Sequence, residues 1–245
     1  MPKTIVITGA GVGLGRALAR RFASDGDSVI LLGRTFAKVE AAAAEIGEHA
    51  LAIACDVSSP DSVRNAFNQI AEKFPKVDVL INNAAVFEPF LVADATDTQI
   101  MSAITTNLVG PILCSRAVIP MMDSGGYIIN VSSESVDIPF PHLAVYQSSK
   151  AGLERFSLSL FRELEPLGIR VSNVRAGAMY EEGKVWEADP AAQMAFAKAA
   201  AEAGIHLRER PLSQFTSVTE AFRALINMPA DLHAVTIALH GRASK

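Results

Sequence analysis

Short apolar, β-branched runs alternate with longer helical patterns through most of this chain, and that alternation leaves few folds open. Strand patterns fall at Thr4–Thr8, Ser28–Leu32, Ala50–Cys55, Val77–Ile81, Tyr127–Val131, Ile169–Val174 and Ala234–Leu239. Helical patterns lie near 13–24, 36–46, 60–73, 97–122, 144–165 and 217–228. Strict alternation predicts parallel strands joined by right-handed crossovers. The expected fold class is therefore α/β, a Rossmann-like doubly wound parallel sheet of about seven strands with helices on both faces. Ser59 before Pro60 and Asp61 reads as a helix cap followed by proline at the first helical position. With no internal repeat, low-complexity tract or linker, residues 1–245 are expected to form a single domain.

Half of the residues are apolar and a fifth are charged, which suits a sheet covered on both faces. The net charge of −4, without a basic tract, argues against nucleic acid as a partner. Cys55 and Cys114 are far apart in sequence and make no metal-like pair, so no metal site is expected and a reducing compartment is. The N-terminus runs directly into a strand, unlike a signal peptide, and no apolar run approaches the ~20 residues of a membrane span. A cytoplasmic protein with no membrane partner is the expectation. One region breaks the alternation. Residues 178–212 are too many for an ordinary connection, and they hold the only tryptophan, Trp186, and an alanine-rich helical piece near 190–203. They are expected to form a substrate-binding loop or lid; the alternative is a peripheral helix packed on the surface.

The first strand ends in Thr8-Gly9-Ala10-Gly11-Val12-Gly13-Leu14-Gly15, directly before an amphipathic helix. Glycines allow positive φ and close backbone approach, and a helix N-terminus offers free N–H groups to a phosphate. A pyrophosphate over Gly13, Leu14 and Gly15 follows. At the end of the second strand, an acidic side chain would bind a ribose 2′-hydroxyl, whereas an arginine accommodates a 2′-phosphate. The chain reads Leu32-Gly33-Arg34, which points to NADP(H) over NAD(H). The competing reading is that Arg34 merely solvates the next helix.

Tyr146 and Lys150 are four apart in a helical pattern and so share one face. A phenol titrates near ~10 in water, and a neighbouring ammonium lowers that value by favouring the phenolate. Ser133, at a strand end, could hold the oxygen whose proton is exchanged. Together they make an apparatus for moving a proton on and off an alcohol or carbonyl oxygen.

With these residues in hand, the chain resembles the short-chain dehydrogenase/reductase family, in its compact single-domain branch, from Thr4 to about Gly177. The motifs are Thr8-Gly9-x-x-x-Gly13-x-Gly15, Asp56-Val57, Asn82-Asn83-Ala84-Ala85, Asn107, Ser133 and Tyr146-x-x-x-Lys150. The resemblance implies a catalytic tetrad of Asn107, Ser133, Tyr146 and Lys150. Tyr146 would be the general acid/base, Ser133 would polarise the substrate oxygen, and Lys150 would hold the nicotinamide ribose. Asp56, beside Val57, would meet the adenine, and Asn83 and Ala84 would line the cofactor. Pro111 lacks the N–H that would bond the Asn107 carbonyl, which predicts a kink and a carbonyl open to a water relay. The chain departs from the family pattern at Ala85 and Ala176, where glycine and proline are usual, and in its C-terminal Gly241-Arg242. Nicotinamide contacts are expected around Gly177 and Met179.

These readings imply an enzyme, an oxidoreductase passing hydride between NADP(H) and a carbonyl or secondary alcohol. C=C reduction, an NAD(H)-dependent alcohol dehydrogenase, a dehydratase or epimerase, and a non-enzymatic NADP(H) sensor are the alternatives. The substrate pocket is expected from 85–90, 136–143 and 178–212, with Phe87, Phe90, Phe140, Met179 and Trp186 making it apolar. Glu181, Glu182, Glu187 and Asp189 against Lys184 form an acidic rim that slightly favours a neutral substrate. The 144–165 helix is apolar on more than one side, which predicts a homodimer or homotetramer through it and 97–122.

Overall fold

A computed structural model describes residues 1–180 and 188–243. Seven parallel strands form one sheet: β1 (Thr4–Thr8), β2 (Ser28–Gly33), β3 (Ala50–Ala54), β4 (Val79–Asn82), β5 (Tyr127–Ser133), β6 (Arg170–Ala176) and, at the far edge, β9 (Thr236–Leu239). The order across the sheet is β3-β2-β1-β4-β5-β6-β9. The order reverses at β1, where the chain crosses to β4, and this switch point opens a crevice beyond the strand C-termini. A short parallel pair, β7 (Met179–Tyr180) with β8 (Ser213–Gln214), stands apart from it.

Side chains one apart along a strand point to opposite faces, and the core divides accordingly. Ile5, Ile7, Val29 and Leu31 pack with α1 (Gly13–Ala23), α2 (Phe36–Ile46) and α8 (Phe215–Ile226), through Leu18, Phe22, Val39, Val218 and Phe222. Val6, Ile30 and Leu32 face α3 (Pro60–Lys73), α5 (Gly110–Val118) and α6 (Ala144–Leu164), through Val63, Phe67, Ile70, Leu113, Val118 and Leu160. Both faces are covered, which is why the strands read as continuous apolar runs. The expected α/β architecture is the observed one. Element ends move by a few residues: the fourth strand begins at Val79 rather than Val77, and β5 and β6 each run two residues further than their apolar runs, into Ser133 and Ala176. Those extensions are polar or small, so hydrophobicity could not mark them.

A polar seam runs through the second layer. Asn82, Asn130 and Asn173 stand in register on β4, β5 and β6, all buried. Asn82 Nδ2 donates to Asn130 Oδ1 at 2.8 Å, and Asn130 Nδ2 donates to Ser157 on α6 at 2.8 Å. These bonds couple α6 to the sheet in a direction that apolar packing does not fix.

The 97–122 pattern is not one regular helix. It divides into α4 (Asp97–Ile104), a wide π turn (Thr105–Val109) and α5. The Gly110 N–H reaches the Thr105 carbonyl, and Pro111, which has no N–H for the Asn107 carbonyl, follows at once. The expected irregularity at Asn107 is therefore present as a π turn. Within 97–121, a stretch of 25 residues, the most apolar 18-residue window has a mean hydropathy of 1.3, which by length and composition alone would suffice to cross a membrane. Polar residues interrupt the stretch, and a core helix meets the same length and composition. Leu113, Cys114 and Val118 of that stretch are buried in the second core layer.

The Ser59 cap is formed, its side chain accepting from the Ser62 N–H at 3.3 Å with Pro60 at the start of α3. Ser59→Ala is expected to lower the unfolding free energy by roughly 1 kcal/mol in urea titrations. Nucleotide affinity should stay unchanged.

Candidate active site

One cavity of about 690 Å³ runs along the C-terminal ends of the strands, from Arg34 to Arg210. At its first end lies the glycine turn between β1 and α1. Gly9 has φ +67°, and a Cβ there would stand 2.8 Å from Ala84 Cα. A Cβ on Gly15 would stand 2.5 Å from the Gly9 carbonyl oxygen and 2.7 Å from Asn83 Nδ2. Neither position admits a side chain, so the turn packs tightly and leaves the start of α1 open to the cavity. Thr8 braces it from the side: its hydroxyl accepts the N–H groups of Asn83 and Ala84, each at 3.0 Å. Asn83 returns the contact, Nδ2 donating to the Thr8 carbonyl at 3.0 Å.

Gly9, Gly13, Leu14, Asn83 and Ala84 border the cavity, while Gly15 lies behind them. Further along, Asp56 and Val57 form part of the wall. The Asp56 carboxylate accepts from the Ser58 N–H at 2.9 Å and the Ser58 hydroxyl at 2.6 Å. Arg34 is exposed at the mouth. A Cβ at Gly33 would meet Val39 Cγ1 at 2.6 Å, so packing of α2 keeps a larger residue out of that position. Gly177 and Met179 border the opposite side, and Gly177 donates its N–H to the Leu239 carbonyl at 2.9 Å.

The centre is built by β5 and α6. Ser133 ends β5 and Tyr146 lies in the first turn of α6, both side chains on the cavity wall. The Ser133 hydroxyl oxygen also accepts from the Ser135 N–H at 3.2 Å. Phe87 meets the Tyr146 ring edge to face at 4.9 Å between centroids. Lys150, one helical turn on and buried, donates from Nζ to the Val131 carbonyl at 2.7 Å and lies 5.9 Å from the Tyr146 ring centre.

Burial dominates the charges here. It pushes the Lys150 ammonium down to about 8. It also holds the Tyr146 phenol above its usual value, with the Ser133 hydrogen bond pulling the other way and the Glu134 carboxylate adding to the rise. The lowering of the phenol by Lys150 that the sequence suggests is thus not found: the ammonium is spent on a backbone carbonyl, and desolvation of the phenolate outweighs it.

Asn107 sits in the π turn, at the expected irregularity. Its side chain is fully buried and does not border the cavity; the neighbouring Thr106 does. Oδ1 accepts from the Val86 N–H at 2.7 Å, and Nδ2 donates to the Val86 carbonyl at 2.9 Å and to Ser149 Oγ at 3.2 Å. It braces the cavity wall from behind. On the substrate side, Phe87, Phe140, Leu143, Phe196 and Leu207 line the cavity, Phe196 coming from α7 (Pro190–Glu202). Phe90 does not line it, because its N–H is held by the His142 carbonyl at 2.8 Å in the loop beyond. Trp186, Lys184 and the acids Glu181, Glu182 and Glu187 lie outside the described residues. The sequence expected 178–212 to line the pocket without singling out Arg210 or Phe196, and it missed Glu134, whose only signal was its place directly after Ser133. Among the described residues no cluster of metal-ligating side chains occurs.

Comparison with known proteins agrees with this architecture. The family model for short chain dehydrogenase matches residues 3–187. The chain is 35% identical over 181 residues to serine 3-dehydrogenase of Agrobacterium fabrum, covering 72% of each chain. It is 34% identical over 178 residues to the NADP-dependent 3-hydroxy acid dehydrogenase YdfG of Salmonella typhi, covering 71% of each. Among solved structures, 3-ketoacyl-(acyl-carrier-protein) reductase from Brucella melitensis, complexed with NADH, superposes with a TM-score of 0.80 at 28% identity, covering 97% of this chain and 96% of that one. The chain belongs to the short-chain dehydrogenase family, and it is an oxidoreductase of that family using a nicotinamide cofactor. The glycine turn that no Cβ fits, opening into the cavity, suits such a cofactor.

The buried Lys150 gives stability a distinct pH dependence. Its folded-state value of about 8 lies below the ordinary 10.5, so between those values the unfolded chain binds the proton more tightly. Stability contributed by this group therefore rises with pH from about 8 to 10.5. In chemical unfolding of the nucleotide-free protein, Lys150→Met is expected to flatten that rise relative to wild type.

Proposed function

We propose that the chain is an NADP(H)-dependent ketone reductase or alcohol dehydrogenase with Tyr146 as general acid/base. The observation that carries this reading is that Tyr146, Ser133 and Lys150 share the wall of a cavity continuous with the glycine turn. The nicotinamide, when bound, gives or takes the hydride. The chain's own residues handle the proton and the geometry. Ser133 positions and polarises the substrate oxygen, and Tyr146 delivers a proton to it in reduction or removes one in oxidation. The raised phenol is protonated at neutral pH, the form that donates in reduction. Lys150 presents its remaining donors towards the nicotinamide ribose. Asn107 is a positioning residue, holding Val86 and Ser149 so that the wall and α6 keep their spacing.

Gly9, Gly13, Leu14 and Gly15 would hold the pyrophosphate at the start of α1, Asp56 and Val57 the adenine, and Asn83, Ala84, Gly177 and Met179 the nicotinamide half. Arg34, at the mouth, supports NADP(H) because it can meet a 2′-phosphate, and Gly33 offers no carboxylate to repel one. The apolar wall of Phe87, Phe140, Leu143, Phe196 and Leu207 favours a carbonyl or secondary alcohol with an apolar body. Residues 178–212, whose α7 supplies Phe196, would act as the substrate-binding lid on a single domain spanning 1–245. The reading includes a cytoplasmic homodimer or homotetramer joined through α6 and 97–122, supported by the exposed Leu158 and Met101. Light scattering at micromolar concentration should therefore give at least twice the 26.0 kDa chain mass.

Fluorescence titration should show NADPH binding at least about tenfold more tightly than NADH, with Arg34→Ala removing most of the difference. Equal binding would overturn the cofactor preference. With a panel of cyclohexanone, acetophenone and ethyl acetoacetate, Tyr146→Phe should cut turnover by at least about 10²-fold while NADPH affinity holds. Retained turnover would refute the acid/base role.

A further inference from the structure

Glu134 follows Ser133 directly, and the chemistry assigned to Ser133 and Tyr146 makes no use of it. It is buried and borders the same cavity. Two cationic or potentially cationic side chains hold it, each from a different part of the chain. Arg210 Nη2 lies 2.7 Å from Oε1, and His240 Nδ1 lies 3.1 Å from Oε2. Arg210 belongs to the substrate-side segment ahead of β8, and its guanidinium covers the Phe140 ring at 5.3 Å. His240 follows β9, the edge strand. Behind them the two segments touch, for a Cβ on Gly241 would fall 2.3 Å from the Pro211 carbonyl oxygen. Gly177 is pressed against the same carboxylate, its absent Cβ 3.2 Å from Oε2. One carboxylate thus gathers the serine turn, the substrate-side wall, the loop after β6 and the C-terminal strand end.

We propose that Glu134 is a positioning residue for the reaction, clamping Arg210 and His240 to the turn after Ser133 and setting the charge beside the Tyr146 phenol. The proposal rests on the reading of this cavity as the site of carbonyl reduction. Its logic has two parts. A largely desolvated ion pair with one partner removed leaves the other charge uncompensated, so Arg210 cannot stay in place over Phe140 once Glu134 loses its charge. The substrate wall then loosens while the glycine turn, at the other end of the cavity, is untouched. The second part is electrostatic. Tyr146 faces Ser133 and Glu134 from β5 and its following turn, Lys150 from its own helix, Phe87 from the loop after β4, and the apolar Phe196, Ile205 and Leu207 side from the lid. The next charged group along the turn, Asp137, is engaged by Arg175, which also pairs with Glu154. Glu134 is therefore the anion that acts on the phenol, and Arg210 is the cation that tempers it.

The two partners must then act with opposite sign. Only three tyrosines occur in the chain, so the Tyr146 phenol can be titrated by tyrosinate absorbance as the difference between each protein and its Tyr146→Phe counterpart. With saturating NADP⁺, Glu134→Gln is expected to lower the Tyr146 midpoint by roughly 0.5–1 pH unit, and Arg210→Met to raise it. Both variants should raise KM for the best ketone of the panel severalfold while leaving NADPH affinity within about twofold of wild type. Midpoints that stay put, or that move in the same direction, overturn the proposal, as does a loss confined to thermal stability. Should Glu134→Gln not fold, Arg210→Met decides alone: an unchanged or lowered midpoint refutes the clamp. The titration needs no turnover, so it is judged separately from the acid/base reading, which stands or falls on the rate of Tyr146→Phe.

Discussion

The bond from Lys150 Nζ to the Val131 carbonyl holds the arrangement together. An ammonium taken out of water must find partners, and here the one it finds belongs to the last turn of strand before Ser133. That contact fixes how far along β5 the helix α6 can sit, and with it the position of Tyr146 one turn earlier. The Asn82–Asn130–Ser157 seam repeats the constraint two turns further down the helix. Apolar packing alone would let α6 slide or roll on the sheet. Two polar ties at different heights leave one setting, in which phenol and serine meet.

From that setting the rest of the cavity follows. The β1–β4 reversal creates the crevice, the glycine turn floors one end, and Asn107 bonds back to Val86 to hold the wall that carries Phe87. Phe87 in turn stands edge-on to Tyr146. Phe196 of α7 and Phe140, whose rings lie 6.1 Å apart, close this ring. Each apolar contact around the phenol removes water, and removal of water is what raises its pKa. The same packing that lines the apolar end of the cavity therefore also holds the phenol above its usual value.

Much of this was legible before any coordinates. The doubly wound sheet could be read because its strands are buried on both faces and its helices are separated by clear punctuation, as at Ser59-Pro60. The glycine turn, Ser133, Tyr146 and Lys150 stood out by spacing, and the structure brings all of them to one cavity. What failed was anything that depends on competition for a partner. Helical spacing puts Lys150 beside Tyr146, yet cannot say that the Val131 carbonyl would claim the ammonium. The irregular turn at Asn107 was foreseen from Pro111, but not that the Asn107 side-chain amide would turn to Val86. Phe196 and Arg210 fall within 178–212, expected to line the pocket, but without a strand or family pattern there neither could be singled out. Glu134 was adjacent to a residue already singled out, but its burial could not be read from the sequence.

A crystal structure of the protein with bound NADP⁺ tests the central claim most directly. The account expects electron density for the pyrophosphate against the Gly13–Gly15 turn, the 2′-phosphate in contact with Arg34, and the nicotinamide ring near Gly177 with the Tyr146 hydroxyl open to the same cavity. A nucleotide that left the nicotinamide outside this cavity, or a Tyr146 hydroxyl turned away from it behind the Phe87 ring, would contradict it.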